Sequence, residues 1–289
     1  MRISVLILLL VSANLAWAAS EIEKLTDYDL QANKVTTYVD RDFGHYTRSL
    51  RIMRRSFQDD VPFYLAVPKT EMLKGVVFLL HGITSAKDIW WQSEGPYSKL
   101  SDYRKELLEA GYVLIVPDAR YHGQRSSTGN FESPMNLLSG QQWTKLQDLL
   151  VGSVRDFREL IDYTSAEFPD LSIGVLGMSL GAMHALILGS VETRLDFIVP
   201  IFPPIQNVSP LLNSVHPHQL APGISLPTLL LISDQDQWYR FEDGTELYDH
   251  LAAENKKLMV LSTPHELLYS ESTQVVSWIK EQQSHLTRQ

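Results

Sequence analysis

The stretch GVLGMSLGAMHALIL, residues 174–188, places a single serine between two apolar runs. Gly177 and Gly181 stand two residues before and two residues after Ser179. The first run predicts a buried strand and the second a helix, so Ser179 falls in the sharp turn between them. Glycine at both flanking positions lets the strand and the helix approach without a clash of Cβ atoms. The pattern predicts a nucleophilic serine; a strand-to-helix junction with an incidental serine is the alternative.

The same alternation of apolar strand and helix continues from residue 75 to the end of the chain. Predicted strands cover residues 75–82, 112–118, 172–177, 196–202, 228–233 and 256–262. Predicted helices cover residues 98–111, 144–168, 180–191, 241–255 and 271–286. Such alternation is typical of an α/β fold with a mostly parallel sheet and helices on both faces. Residues 35–39, 47–57 and 61–68 predict antiparallel strands at one edge, so we expect a single sheet of about eight strands.

Residues 121–143 and 203–226 fit this alternation poorly. The second segment contains five prolines together with the apolar residues Ile205, Val208, Leu211 and Leu212. Long connections without regular structure often carry functional covers over binding sites. We therefore predict that residues 203–226, called here the lid segment, form a short insertion over the sheet.

Composition limits the classes of function that the chain can have. The 289 residues are 44% hydrophobic and 20% charged, which is ordinary for a globular protein. The formal net charge of −9 argues against nucleic acid and anionic membranes as partners. The absence of cysteine excludes thiol nucleophiles, cysteine-based zinc sites and iron–sulfur clusters.

The first 18 residues follow the pattern of a cleavable signal peptide. Arg2 supplies a positive charge, residues 3–11 are almost wholly apolar, and residues 16–18 read Ala-Trp-Ala. We expect a mature α/β domain over residues 19–289, secreted or periplasmic, with no stable membrane insertion after cleavage. An uncleaved N-terminal anchor is the alternative.

A serine hydroxyl needs a general base to act as a nucleophile at neutral pH. His265 lies in the turn after the last predicted strand, and Asp234 and Asp236 follow the strand at residues 228–233. The carboxyl ends of parallel strands meet at one edge of a sheet, where ligands usually bind. The order serine, aspartate, histidine therefore predicts a catalytic triad in which either aspartate could orient the histidine.

Two further motifs support a resemblance to a known family. The segment LLHGITS, residues 79–85, is similar to the oxyanion loop of α/β-hydrolases. The segment PDARYHGQRS, residues 117–126, resembles their D-x-R-G-x-G-x-S motif with Tyr121 in place of one glycine. With the motif around Ser179, the chain resembles an exported, esterase-like member of the α/β-hydrolase family over nearly its whole mature length.

The resemblance implies roles for individual residues. Asp236 is the expected acid, because the family's acid lies about three residues beyond the strand end, and Asp234 remains the alternative. The backbone N–H groups of Leu180 and Ile83 are the expected oxyanion donors. The resemblance implies no cofactor and no metal.

Other polar and aromatic residues have structural interpretations. His81 is expected to brace the oxyanion loop, His184 to pack in the core, and His216 and His218 to lie in a solvated loop rather than bind metal. Asp118 and Arg120 are expected to organise the loop around His122. The aromatic residues that follow strand ends could line the substrate pocket or pack in the core: Trp90, Trp91, Trp238 and Tyr239.

We therefore expect an exported serine hydrolase that cleaves small or medium carboxylic esters through an acyl-enzyme. The partner is a small-molecule ester, and no nucleic acid is expected to bind. A peptidase, amidase or thioesterase with the same triad is one alternative. A non-catalytic binding protein with this fold is the other.

Overall fold

The computed structural model describes residues 21–28, 34–55, 59–95, 97–206, 209–267 and 271–286. The predicted signal peptide, residues 1–18, lies outside these ranges. Among the described residues, no helix has both the length and the apolar character needed to cross a membrane.

Within these described ranges, nine strands form one sheet in the order β1-β2-β3-β5-β4-β6-β7-β8-β9. Their bounds are β1 Lys34–Asp42, β2 Tyr46–Arg54, β3 Val61–Pro68, β4 Gly75–Leu80, β5 Tyr112–Pro117, β6 Ile173–Met178, β7 Phe197–Ile201, β8 Thr228–Ser233 and β9 Lys256–Leu261. The pairs β1–β2, β2–β3 and β3–β5 are antiparallel. The other five neighbouring pairs, from β5–β4 to β8–β9, are parallel. The predicted mostly parallel sheet is confirmed, with nine strands rather than about eight.

Residues 21–25 are helical, and seven further α-helices in the described part of the chain pack around the sheet. They are α1 Leu100–Glu109, α2 Pro134–Ser139, α3 Trp143–Glu167, α4 Leu180–Val191, α5 Pro217–Leu220, α6 Phe241–His250 and α7 Ser272–Leu286. Side chains of α3 and α4 pack in one buried cluster, and side chains of α1 and α7 pack in a second. Strands β4, β5, β6 and β8 are buried along their whole length, as their continuous apolar sequences predict.

The predicted helix over residues 241–255 ends five residues early, at His250. Leu251 has φ −60° and ψ 126°, so the backbone leaves the helical region there. The Lys256 ammonium donates to the carbonyls of Tyr248 and Leu251, both at 2.9 Å. A cation bonded to the last carbonyls of a helix stabilises its end, which explains why the helical pattern does not continue.

The described part of the lid segment folds into short helical turns. A 3₁₀ helix spans Pro210–Val215, α5 follows, and a second 3₁₀ helix spans Ala221–Gly223. Leu212, Val215 and Leu220 are buried and join the cluster that contains α3 and α4. The segment is therefore packed onto the body of the domain at the same sheet edge where β6 ends.

Candidate active site

Ser179 occupies a strained turn between β6 and α4. Its φ is +56° and its ψ is −116°, a region that L-residues rarely adopt. Such a conformation costs about 1–3 kcal/mol and persists only where the surroundings enforce it. The Ser179 N–H donates to the carbonyl of Ile201 on the neighbouring strand β7 at 2.8 Å, which holds the turn in place.

The two glycines beside Ser179 are required by close backbone contacts. A Cβ atom on Gly177 would lie 2.1 Å from the carbonyl oxygen of Gly181. A Cβ atom on Gly181 would lie 2.3 Å from the carbonyl oxygen of Leu80, the last residue of β4. These distances are far below van der Waals contact, so the predicted reason for both glycines is confirmed.

The structure brings Ser179, His265 and Asp236 into one chain of hydrogen bonds. The Ser179 hydroxyl lies 2.8 Å from Nε2 of His265, and Nδ1 of the same ring lies 2.6 Å from Oδ2 of Asp236. The Asp236 side chain is fully buried and that of His265 is 6% exposed. A carboxylate at Nδ1 fixes the tautomer that leaves Nε2 free to accept the serine proton.

Neighbouring backbone groups orient the acid and the histidine. The Trp238 N–H donates to Oδ1 of Asp236 at 2.7 Å, and the His265 N–H donates to the side-chain oxygen of Gln237 at 3.0 Å. Asp234 instead is exposed and accepts a hydrogen bond from the Ser262 hydroxyl. Sequence analysis missed Gln237, since nothing in its local pattern marks it.

Two buried histidines position the loop that follows β4. His81 donates from Nδ1 to the carbonyl of Gly82 at 2.9 Å and accepts from the N–H of Ala119 at 3.1 Å. His122 lies 2.9 Å from the carbonyl of Ile83 and 2.7 Å from that of Arg120. Burial lowers the pKa of His122, so the neutral ring donates to one of these carbonyls at a time.

A buried ion pair anchors the other end of this loop. The ammonium of Lys87 lies 2.7 Å from Asp118, and the Lys87 N–H also donates to the same carboxylate at 2.9 Å. Asp118 further accepts from the N–H of Gln124 at 3.0 Å. Asp118 therefore joins the loop after β4 to the loop after β5. The predicted organising role of Asp118 is confirmed, whereas Lys87 was not singled out.

The two expected oxyanion donors, Leu180 and Ile83, line the same cavity as Ser179. The loop after β4 passes so close to the serine that a Cβ on Gly82 would lie 3.6 Å from the Ser179 Cβ. Leu180 begins α4, so its N–H belongs to the first turn, whose N–H groups have no partner within the helix. The two residues thus flank the serine from two different elements.

The cavity beside Ser179 has a volume of about 160 Å³ and is mainly apolar. Its apolar walls come from α2, α3, α4 and the lid segment: Met135, Leu138, Leu146, Leu150, Met183 and Leu212. Of the four aromatic residues predicted to line the pocket or pack in the core, Trp238 lines the cavity. Trp90 and Tyr239 are buried in the core, and Trp91 packs its ring against Tyr64.

His81 and His184 are buried in the core behind the site. Burial, together with neighbouring histidines, lowers the pKa of each ring to about 3. His184 packs edge-on against Phe157, which confirms its expected packing role. Both rings are neutral at physiological pH.

The expectation that His216 and His218 lie in a solvated loop is wrong. His216 is half-buried at the start of α5 and lies 2.9 Å from the carbonyl of Ile205. His218 is half-buried within α5. Its ring belongs to a group with Glu246 and His250 in which one potential ligand atom from each residue lies within 4.8 Å of the others. The short helical turns of the lid segment pack onto the domain, so both residues are partly shielded from solvent.

A nucleophilic serine in a strand-to-helix elbow, bonded to a histidine that follows the last strand, is the arrangement that defines α/β-hydrolases. Residues 62–266 match the dienelactone hydrolase family. The chain belongs to this family and is a serine hydrolase that acts on esters. A comparison with curated protein sequences found no significant match.

Solved structures share this fold. A PEG-bound cold-adapted esterase from an Arctic intertidal metagenomic library superposes with a TM-score of 0.68 at 20% identity, covering 84% of this chain and 97% of its own. Acetyl xylan esterase 1 from a Thermoanaerobacterium species gives 0.68 at 14% identity and 93% coverage of both chains. An acetyl xylan esterase from a Paenibacillus species gives 0.66 at 14% identity and 92% coverage of both. At these identities the likeness shows the fold.

Replacing Asp118 by asparagine removes the buried counter-charge 2.7 Å from the Lys87 ammonium and leaves only the exposed Asp88 carboxylate, 3.8 Å away. We expect Asp118→Asn to lower the free energy of unfolding by about 3–5 kcal/mol, the usual cost of breaking a buried ion pair. Because the pair anchors the loop that carries Ile83, kcat for ester hydrolysis should fall at least about tenfold. Urea denaturation and steady-state kinetics measure both effects. The control Asp170→Asn, at an exposed carboxylate away from the pair, should alter neither, and equal stability of the two variants would contradict the assignment.

The neutral buried histidines make stability fall in acid. Below pH about 6.5 the unfolded chain takes up protons that folded His81 and His184 do not bind, so unfolding becomes more favourable as the pH falls. Each ring contributes about 1.4 kcal/mol per pH unit between its two pKa values.

We therefore expect His184→Leu to reduce the loss of unfolding free energy between pH 7.5 and pH 5.0 by about 2 kcal/mol. Urea titrations at the two pH values measure it. His45→Leu, at an exposed histidine, serves as the control and should leave the loss unchanged. A His184→Leu variant with the pH dependence of the unmodified protein would show that this ring is protonated in the folded state.

Proposed function

We propose that the protein is an exported carboxylesterase that works through a Ser179–His265–Asp236 triad and an acyl-enzyme intermediate. The hydrogen-bonded arrangement of these three side chains beside a cavity supports this proposal most directly. The three side chains are linked by hydrogen bonds of 2.8 Å and 2.6 Å, and the serine opens onto an apolar cavity. Export rests on the sequence pattern of residues 1–18, whose removal would leave a domain over residues 19–289.

In the first half of the reaction His265 takes the proton of Ser179 as the hydroxyl oxygen attacks the ester carbonyl carbon. The resulting imidazolium is stabilised by Asp236 and then protonates the departing alcohol. A water molecule, deprotonated by the same histidine, attacks the acyl-enzyme in the second half and releases the acid. No cofactor or metal enters these steps.

The tetrahedral intermediates carry a negative charge on the former carbonyl oxygen. The backbone N–H groups of Leu180 and Ile83 are proposed to stabilise it, since both residues flank the serine in the cavity. His122 and Asp118 hold together the loops after β4 and β5, and so keep the Ile83 donor in place before substrate arrives. Preorganised donors of this kind contribute more than donors that must reorient during the reaction.

The cavity favours a neutral ester with an apolar acyl or alcohol group. Within the described part of the chain, its lining contains no aspartate, glutamate, lysine or arginine. An aminoacyl amide would bury its ammonium there without a partner, which is strongly unfavourable. Pro204, Gln206 and Leu212 place the lid segment along the cavity, so we propose that it covers the bound apolar chain.

The acid can be identified kinetically with two matched substitutions. We expect Asp236→Asn to lower kcat for p-nitrophenyl butyrate by about 10³–10⁴, because the wrong histidine tautomer would face the serine. Asp234→Asn changes an exposed carboxylate two residues away and should stay within twofold of the unmodified enzyme. Ser179→Ala and His265→Ala should lose activity to the same extent as each other, since triad residues act as a unit.

The p-nitroanilide of the same acid tests the type of bond. Its turnover should be far slower than that of the ester. Loss of activity in Asp234→Asn but not in Asp236→Asn would reassign the acid, and full activity in Ser179→Ala would reject the mechanism. Faster turnover of the anilide would favour the amidase alternative.

The dependence of kcat/KM on the length of the acyl chain tests whether the acyl chain binds in the cavity. Each added methylene group that the cavity buries is worth about 0.8 kcal/mol, or about fourfold in kcat/KM. Leu146→Trp should fill part of the cavity and remove this gain between acetate, butyrate and hexanoate, with activity toward acetate retained. Leu211→Trp places the same indole on an exposed position of the lid segment and should preserve the gain. The same chain-length profile in both variants would show that the acyl chain binds elsewhere.

A further inference from the structure

Three potential metal ligands meet on the surface formed by α5 and α6, apart from the cavity. Glu246 and His250 are four residues apart on α6 and therefore share one face of that helix. His218 reaches them from α5, with its Nδ1 atom 4.0 Å from Oε1 of Glu246. The rings of His218 and His250 are 5.6 Å apart and nearly perpendicular. One nitrogen or oxygen atom from each residue lies within 4.8 Å of the other two.

A hydrogen bond already orients His218 as a ligand. Its Nε2 atom lies 3.1 Å from the backbone carbonyl of Asp243, which can only accept. The Nε2–H therefore donates to this carbonyl, and the lone pair on Nδ1 points toward Glu246. Histidines that bind metals nearly always donate their other ring N–H to a carbonyl or carboxylate in this way. The ring is thus fixed in the tautomer and direction that a cation at this place needs.

The donor set selects the type of ion. Two imidazoles and one carboxylate suit Zn²⁺ and its neighbours in the first transition row, while Mg²⁺ and Ca²⁺ prefer oxygen ligands throughout. Ligand bonds of about 2.0–2.2 Å require the three atoms to move slightly closer together. Glu246 and His250 are exposed and free to rotate toward His218, and water can occupy the remaining position. We propose that His218, Glu246 and His250 form a zinc site.

The position of this site indicates that a bound ion would affect the stability of the fold and not the hydrolysis of esters. His218 belongs to the lid segment, whereas α6 follows the loop that carries Asp236 and Trp238. A bound ion would therefore link the lid segment to the element that follows the candidate acid. None of the three ligands lines the cavity, so the ion takes no part in the hydrolysis. It stabilises the folded protein, because an ion bound by two separate elements binds the folded chain far better than the unfolded one.

The test uses untagged mature protein that has been treated with chelator and then freed of it. Isothermal titration with ZnCl₂ should show saturable binding of one ion, and the thermal midpoint should rise by several degrees at saturating zinc. MgCl₂ at the same concentration should leave the midpoint unchanged. Ester hydrolysis should be equal with and without zinc at 25 °C.

Variants locate the site. Glu246→Gln and His250→Ala alter exposed side chains and should fold normally, yet each should weaken zinc binding at least about tenfold. His218→Ala should do the same, and His45→Ala, at an exposed histidine elsewhere, should bind as the unmodified protein does. Absence of saturable binding would overturn the proposal. Undiminished binding by the Glu246→Gln/His250→Ala double variant would also overturn it, because the ion would then lie at another place.

Discussion

The structure depends on the contact between the backbone of Gly181 and the carbonyl of Leu80. Helix α4 can begin beside strand β4 only because position 181 has no side chain, since a Cβ atom there would lie 2.3 Å from that carbonyl oxygen. Ser179, in the turn between β6 and α4, has a φ of +56°, and its hydroxyl lies 2.8 Å from Nε2 of His265. The packing of β6, β7 and α4 stabilises this strained turn, which places Ser179 next to the loop after β4.

Charges near the site are buried only with partners, and these pairs connect loops that are distant in sequence. Asp118 pairs with Lys87, and Asp156 lies within 2.6 Å of Arg125 and also contacts Arg55 and Arg120. Burial alone would raise the pKa of Asp156, but the three guanidinium groups hold it below the usual value. Losing one member of such a pair is costly, since the other remains buried and uncompensated. Buried ion pairs therefore tie the loops after β4 and β5 to one another and to α3.

The parts of the fold with strong local signals could be predicted from the sequence. Helix α4 and strand β8 begin and end at the predicted residues, because each is a continuous apolar run: α4 follows the turn at Ser179, and β8 lies between Pro227 and Asp234. The end of α6 could not be predicted, because Lys256 caps it from the following strand. Lys87 was missed for the same kind of reason: its partner Asp118 is 31 residues away, and no local pattern marks the pair. The group of His218, Glu246 and His250 likewise appears only when two separate helices are placed together.

We propose that folding makes Ser179 nucleophilic by placing its hydroxyl 2.8 Å from Nε2 of His265. Intact-protein mass spectrometry after exposure to a fluorophosphonate measures this directly. We expect one phosphonyl group per folded molecule, mapped to Ser179, with labelling abolished in urea and slowed at least about 10³-fold in His265→Ala. An adduct at another residue, or equal labelling of folded and unfolded protein, would contradict it.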